Sequence, residues 1–277
     1  MICELDNINV SYESWGKGQP LIILTGWGNS ATVSASWWEP IFQQHSKFRR
    51  IYIDPPGHGK TPGEDWVINQ DKMLDIIIEC IDKITKGERF VLVGHSLGAY
   101  HARGIIYRRA KLIDGLFMAV PIIKAKDSER IVPPHTVLLT SPEETAKLTP
   151  AENKMLWMAT IQSKNTLDRI KTMAGQDRGE SGNTAFLEKI IKTPQNYAYS
   201  FDVDSLPKPF SKPTLVIAGK QDSMAGYQDA WDILDNYPHT TYVVFDRAGH
   251  LLDDKDPLIT TLVAEWLNRV EEENSTK

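Results

Sequence analysis

The sequence predicts an α/β protein: a mostly parallel eight-stranded sheet flanked by helices, with a helical segment inserted after the sixth strand. Three observations carry this. Short apolar runs alternate with longer amphipathic stretches over most of the 277 residues, the order that builds a sheet covered by helices. The runs LIIL, RIYIDP, FVLVG and GLFMAV are almost continuously apolar, as strands buried on both faces are. Between 122 and 212 the alternation gives way to helical and polar sequence, and then it resumes.

Taken in order, ICELDNINVSYESWG reads as two strands about an Asp6-Asn7 turn, the second alternating Val10 and Tyr12 with polar neighbours. LIIL (21–24) and RIYIDP (50–55) follow as strands. DKMLDIIIECIDKI (71–84) has apolar residues at helical spacing, with Asp71 as its expected N-cap and Gly87 beyond its end. FVLVG (90–94) and GLFMAV (115–120) are strands separated by the helical stretch AYHARGIIYRR. Within the inserted segment, Ser141-Pro142-Glu143-Glu144 and Thr149-Pro150-Ala151-Glu152 read as helix starts, with proline first and acids in the first turn. PTLVIAG (213–219) is a strand, AGYQDAWDILDNY a helix and TTYVVF (240–245) a strand. Asp256-Pro257 opens a last helix before the tail EEENSTK. The expected division is a core of 1–121 and 213–277 with a helical cap over 122–212. Ligands bind such sheets at the carboxyl edge of the strands, so an insertion there is a candidate lid.

Composition narrows the function. A net charge of −5 and a pI near 5.8 argue against nucleic acid or an anionic membrane as partner. Cys3 and Cys80 form no close-set pair, which excludes a zinc ribbon or disulfide scaffold and fits a reduced, cytoplasmic protein. MICELDNINV lacks a basic n-region, and no apolar run approaches ~18 residues, so neither a signal peptide nor a membrane span is expected. No His/Asp/Cys cluster has ligand spacing, so no metal is expected. Gly57-x-Gly59-Lys60-Thr61 lacks the first glycine of a phosphate loop, which sets that reading aside.

The chemistry centres on Gly94-His95-Ser96-Leu97-Gly98, between a strand and a helix. A strand turning sharply into a helix holds its central residue in a strained conformation, and side chains two positions either side collide unless they are small. Glycines at 94 and 98 fit that need. This is the context required of a nucleophile elbow. A serine needs a base, and the base an orienting acid. Asp222 follows PTLVIAG and His250 follows TTYVVF, so both are expected at the sheet edge that carries Ser96. The order Ser, Asp, His agrees with the elbow arrangement.

LTGWG (24–28), DPPGHGKT (54–61), GHSLG (94–98), GKQD (219–222) and RAGH (247–250) together resemble the α/β-hydrolases that carry a helical cap, over nearly the whole chain. Within that superfamily DPPGHGKTPGEDW and GKQDSMAGYQDAW are similar to a group of bacterial hydrolases of mostly unassigned substrate. The resemblance implies Ser96 as nucleophile, His250 as base and then acid, and Asp222 as orienting acid. It implies an oxyanion hole from the backbone amides of Trp27 and Leu97, and no cofactor. Two positions depart from the pattern. Thr25-Gly26 stands where His-Gly is usual, a histidine that braces the loop, and Lys60 stands where a small serine is common.

Other polar residues are expected in structural roles. His58 reads as a turn residue, His95 as pointing away from the nucleophile, and His101 as part of the following helix. Asp54 reads as a turn residue, Asp229 and Asp232 as exposed helix residues, and Asp253, Asp254 and Asp256 as a solvated loop. Trp27, Trp37, Trp38, Met155, Trp157 and Met158 are candidates for an apolar acyl pocket. The expected activity is hydrolysis of a small or medium carboxylic ester or related acyl compound through an acyl-enzyme, by a monomer or homodimer. One alternative is hydrolysis of a carbon–carbon bond of the meta-cleavage-product type, disfavoured by Leu251 where such enzymes often carry tryptophan. The other is a low-turnover ligand-binding protein on the same fold.

Overall fold

Strand β1 (Ile2–Glu4) pairs antiparallel with β2 (Asn9–Trp15), and β2 pairs antiparallel with β4 (Phe48–Ile53). From there the sheet is parallel through β3 (Gln19–Leu24), β5 (Phe90–His95), β6 (Ile113–Ala119), β7 (Thr214–Gly219) and β8 (Thr240–Phe245), in the order β1-β2-β4-β3-β5-β6-β7-β8. This computed structural model describes residues 1–175, 182–253 and 256–275; Asp254 lies outside them. The predicted α/β architecture with its mostly parallel eight-stranded sheet is the architecture observed.

Period-two alternation divides the core into two layers. Phe90 and Leu92 of β5 join the cluster under helices α2 (Gln70–Thr85) and α3 (Leu97–Arg109). Val91 and Val93 join the opposite cluster under α1 (Ala31–Phe42), where Trp38 meets Phe117 edge-on. Both faces of the central strands are buried, so their sequences need no polar alternation. Helix α2 is capped by Asn69, whose side chain accepts from the Lys72 amide. Asp71, the expected cap, sits in the first turn and instead accepts from the Ser200 amide. The cap falls two residues earlier because Asn69 is the residue with extended backbone before the first turn.

Between β6 and β7 the described residues hold short helices: α4 (Pro142–Thr145), α5 (Pro150–Asn153), α6 (Lys164–Ala174), α7 (Gly182–Ile191) and α8 (Pro194–Tyr197). Thr149 and Glu152 close a reciprocal capping box at α5. Both ends of the segment are tied to α3. Fully buried Arg103 donates to the carbonyls of Ile122 and Ile123 and pairs with Asp204. Tyr100, Tyr199 and Phe201 stack in succession at 4.3 and 4.9 Å.

After β7 the stretch expected as one helix is split into α9 (Gln228–Asp232) and a 3-10 turn at 234–236. Ala230, Ile233 and Tyr237 of this stretch are buried. The tighter turn lets Asn236 bond to Asp204 and Phe210, holding the returning chain. Helix α10 (Pro257–Ser275) covers the α1 face, its buried Trp266 donating to the Pro213 carbonyl.

Candidate active site

Ser96 directly follows β5 with φ 56° and ψ −116°, a conformation costing a serine about 1–3 kcal/mol. The flanking glycines explain how the turn closes. A Cβ on Gly94 falls 2.4 Å from the Gly98 carbonyl oxygen, and one on Gly98 falls 2.1 Å from that of Leu24. No side chain fits either position. The strained turn is held from both sides: the Ser96 amide donates to Ala119 O, and Ser96 O accepts from Ile122 N. Helix α3 starts at Leu97, so its first amides and positive dipole end lie beside the hydroxyl.

The ends of β7 and β8 bring Asp222 and His250 to the same edge. The Asp222 carboxylate is fully buried. Its Oδ1 accepts from the amides of Met224 and Ala225, each at 2.9 Å. Its Oδ2 accepts from His250 Nδ1 at 2.8 Å. A carboxylate only accepts, so the proton is on Nδ1 and Nε2 is left as acceptor. Ser96 Oγ lies 2.9 Å from that nitrogen. Thus Ser96, His250 and Asp222, chosen from sequence, form one continuous hydrogen-bonded chain.

The loop after β3 passes over Ser96. A Cβ on Gly26 would sit 3.3 Å from both Ser96 Cβ and His95 Nδ1, so this loop approaches to backbone distance. Thr25, where the related pattern has histidine, accepts from Ser34 of α1 at 2.8 Å. The Trp27 ring is gripped edge-on by His58 at 5.8 Å and by Tyr197 of α8 at 5.2 Å. Trp27 follows Gly26 in this loop, and Leu97 follows Ser96 as the first residue of α3.

A cavity of about 290 Å³ opens above Ser96 and His250. One wall is α7, whose Thr184, Leu187, Glu188 and Ile191 follow helical spacing toward it. Another carries Met155, Met158 and Met173, with Trp37 and Leu251 at the core side and Met224 beside Asp222. Glu188 pairs with Lys192 at 2.8 Å, which lowers its carboxyl pKa. Among the described residues no group of three or more His, Cys, Asp or Glu is gathered as a metal cluster. Nor is any helix among them long and apolar enough to cross a membrane.

Residues 21–259 match the model of the alpha/beta hydrolase family. The chain belongs to that family. Its similarity to individual members is low but runs nearly end to end. It is 24% identical to a pimeloyl-[acyl-carrier protein] methyl ester esterase of Legionella pneumophila (strain Corby), over 92% of this chain and 98% of that relative. It is 22% identical to a 2-hydroxy-6-oxo-6-(2'-aminophenyl)hexa-2,4-dienoic acid hydrolase of Metapseudomonas resinovorans, over 88% and 81%. Among solved structures, an alpha/beta superfamily hydrolase from Oenococcus oeni PSU-1 superposes with a TM-score of 0.80 at 24% identity, covering 95% of this chain and 96% of the other.

Of the aromatic and methionine pocket candidates, Trp38 is buried in the core against Phe42 and Phe117 and Trp157 is exposed, so neither lines the cavity. Two polar expectations also need correction. His95 does not turn away from the site: its ring borders the cavity, 6.0 Å from that of His250, wedged against Trp37 and Trp38. Burial among these rings holds its pKa well below the usual histidine value. Asp229 is not exposed but 1% accessible, accepting from the Ile131 amide and pairing with Lys124. In both cases a contact from a distant element, absent from the local pattern, decides the orientation. Asp54 does act as a turn residue: it accepts from the amides of Ala31 and Lys60, and burial pushes its pKa up to about 6. Met173, Met224 and the α7 face were not chosen from sequence; helical periodicity marks their burial but not which void they face.

Proposed function

We propose that this hydrolase cleaves a small or medium carboxylic ester, or a related acyl compound, through an acyl-enzyme on Ser96. The observation that carries the reading is the chain Asp222–His250–Ser96, with links of 2.8 and 2.9 Å, at the floor of an apolar cavity. In the first step Ser96 Oγ attacks the carbonyl carbon as His250 Nε2 takes its proton. Asp222 stabilises the imidazolium without taking up the proton itself. The amides of Trp27 and Leu97 receive the developing oxyanion; preorganised donors of this kind are worth about 3 kcal/mol each. His250 then protonates the leaving alcohol. In the second half it activates water, and the acid is released from Ser96. The expected cap role of 122–212 belongs to the same reading: its helices exclude water and size the acyl group.

The lining supports an uncharged acyl group with an apolar part. Met155, Met158, Met173 and Met224 adapt to varied shapes, and Trp37, Leu187 and Leu251 add rigid apolar surface. Hydrolysis of 4-nitrophenyl esters from acetate to decanoate by wild type and Ser96→Ala tests the reading. Turnover by wild type that vanishes in Ser96→Ala is expected. Equal rates in the two proteins contradict it, and no turnover by either favours the carbon–carbon or ligand-binding reading.

A further inference from the structure

Arg130 takes no part in the chemistry above, yet its side chain is only 8% exposed. Its guanidinium reaches three backbone carbonyls and one carboxylate. Nε donates to Lys124 O at 2.8 Å, Nη2 to Ala125 O at 2.7 Å, and Nη1 to Met224 O at 3.1 Å; Nη1 also pairs with Asp127 at 2.6 Å. Met224 matters because its amide is one of the two that hold Asp222 Oδ1. Arg130 therefore grips the carbonyl of the residue whose N–H fixes the carboxylate.

Two contacts beside it close the same clamp. Asp229 accepts from the Ile131 amide at 3.0 Å and pairs with Lys124 at 2.8 Å. At Gly226, φ +69°, a Cβ would fall 2.2 Å from the Ile131 carbonyl oxygen, so the two backbones touch. One buried cation of the inserted segment thus ties that segment to the loop of Asp222.

We infer that Arg130 is a positioning residue: it holds the Asp222 loop at Met224, so the insertion sets the alignment of the reacting groups as well as the shape of the cavity. This rests on the proposed roles of Ser96, His250 and Asp222. A planar fork reaches three carbonyls at once, which a lysine ammonium on its flexible stem cannot do. Alanine leaves those carbonyls without their donors. Small misplacements of reacting groups are felt in turnover far more than in binding.

The test is steady-state kinetics on the 4-nitrophenyl ester that wild type turns over best, with full-length Arg130→Ala and Arg130→Lys, each with and without ethylguanidinium. In Arg130→Ala, kcat is expected to fall about tenfold or more with KM within about twofold, as misalignment predicts. Millimolar ethylguanidinium should return several-fold of the loss in Arg130→Ala, and none in wild type. Arg130→Lys should fold and show the same split to a smaller degree; if Arg130→Ala is insoluble, this variant carries the test. Unchanged kcat in a folded variant overturns the proposal. So does a rise in KM alone, which makes Arg130 a shaper of the cavity. A loss that tracks melting temperature and ignores ethylguanidinium overturns it too, as a purely structural role. Ser96→Ala, run alongside, separates the readings: activity surviving there defeats the proposed chemistry whatever Arg130 does.

Discussion

Ser96, Asp222 and His250 stand at the ends of β5, β7 and β8, whereas the cavity above them is walled by short helices between β6 and β7. The strand ends are aligned by continuous parallel pairing, from Gly94 with Met118 through Ala119 with Ile217 to Gly219 with Phe245. Backbone ladders therefore fix where these three residues meet, and any side chain that suits the strand will do between them. The inserted segment has one isolated backbone bridge among its described residues, Leu139 with Ile161. It is held by side chains instead: Arg103 at its two ends, Arg130 and Asp229 at the Asp222 loop, and Asn183 on the carbonyls of Gly59 and Thr61. Changes at the sheet edge should act on chemistry in an all-or-none way. Changes in the insertion should be graded.

The largest effect is expected at the sheet edge. Ser96→Ala or His250→Ala should lower kcat about a millionfold with an unchanged circular dichroism spectrum, and Asp222→Asn about ten-thousandfold. A loss below a hundredfold at His250 breaks the contrast, because a graded response would then reach the core. Stability should be equally intolerant at the elbow. With the Leu24 carbonyl 2.1 Å from its Cβ, Gly98→Val should cost several kcal/mol and yield insoluble protein; a normal melting curve for that variant contradicts the close packing described.

A smaller, graded change is expected on the insertion side. Met155→Ala with Met158→Ala enlarges the cavity, so the preferred ester should lengthen while kcat/KM for acetate changes by less than about tenfold. An unaltered chain-length profile removes these methionines from the acyl site. Tyr197→Phe keeps the ring on Trp27 and should cost only a few-fold in kcat, less than Arg130→Ala.

The smallest expected effect is a pH slope in stability. Burial lowers the pKa of His58 to about 4 and that of His101 to about 3. In the unfolded chain each binds a proton near pH 6.5, so between about 6.5 and 4 the unfolded state holds more protons and stability falls as pH falls. Asp54, raised to about 6, acts in the opposite sense and offsets part of this. The melting temperature should therefore drop from pH 7 to pH 5, and less steeply in His101→Gln. A flat or rising profile on acidification contradicts the burial of these rings.

The same contrast explains what was legible in the sequence. Strands such as FVLVG and PTLVIAG announce themselves locally, and residues just past them must meet at one edge of a parallel sheet. Gly94 and Gly98 could be read as relief of a collision before any coordinates. Arg130, Met224 and Tyr197 could not. Their partners lie 94 residues away for Arg130 with Met224, and no periodicity encodes a guanidinium on a distant carbonyl. The orientation of His95 is equally illegible locally, since Trp37 and Trp38, which pack on its ring beside the cavity, come from another element.

The most direct measurement is covalent capture of the nucleophile. The wild type, treated with an alkyl fluorophosphonate, should gain one adduct by intact mass, and peptide mapping should place it on Ser96. Ser96→Ala should stay unlabelled under the same conditions. An adduct on another residue, or equal labelling of both proteins, contradicts the assignment of Ser96.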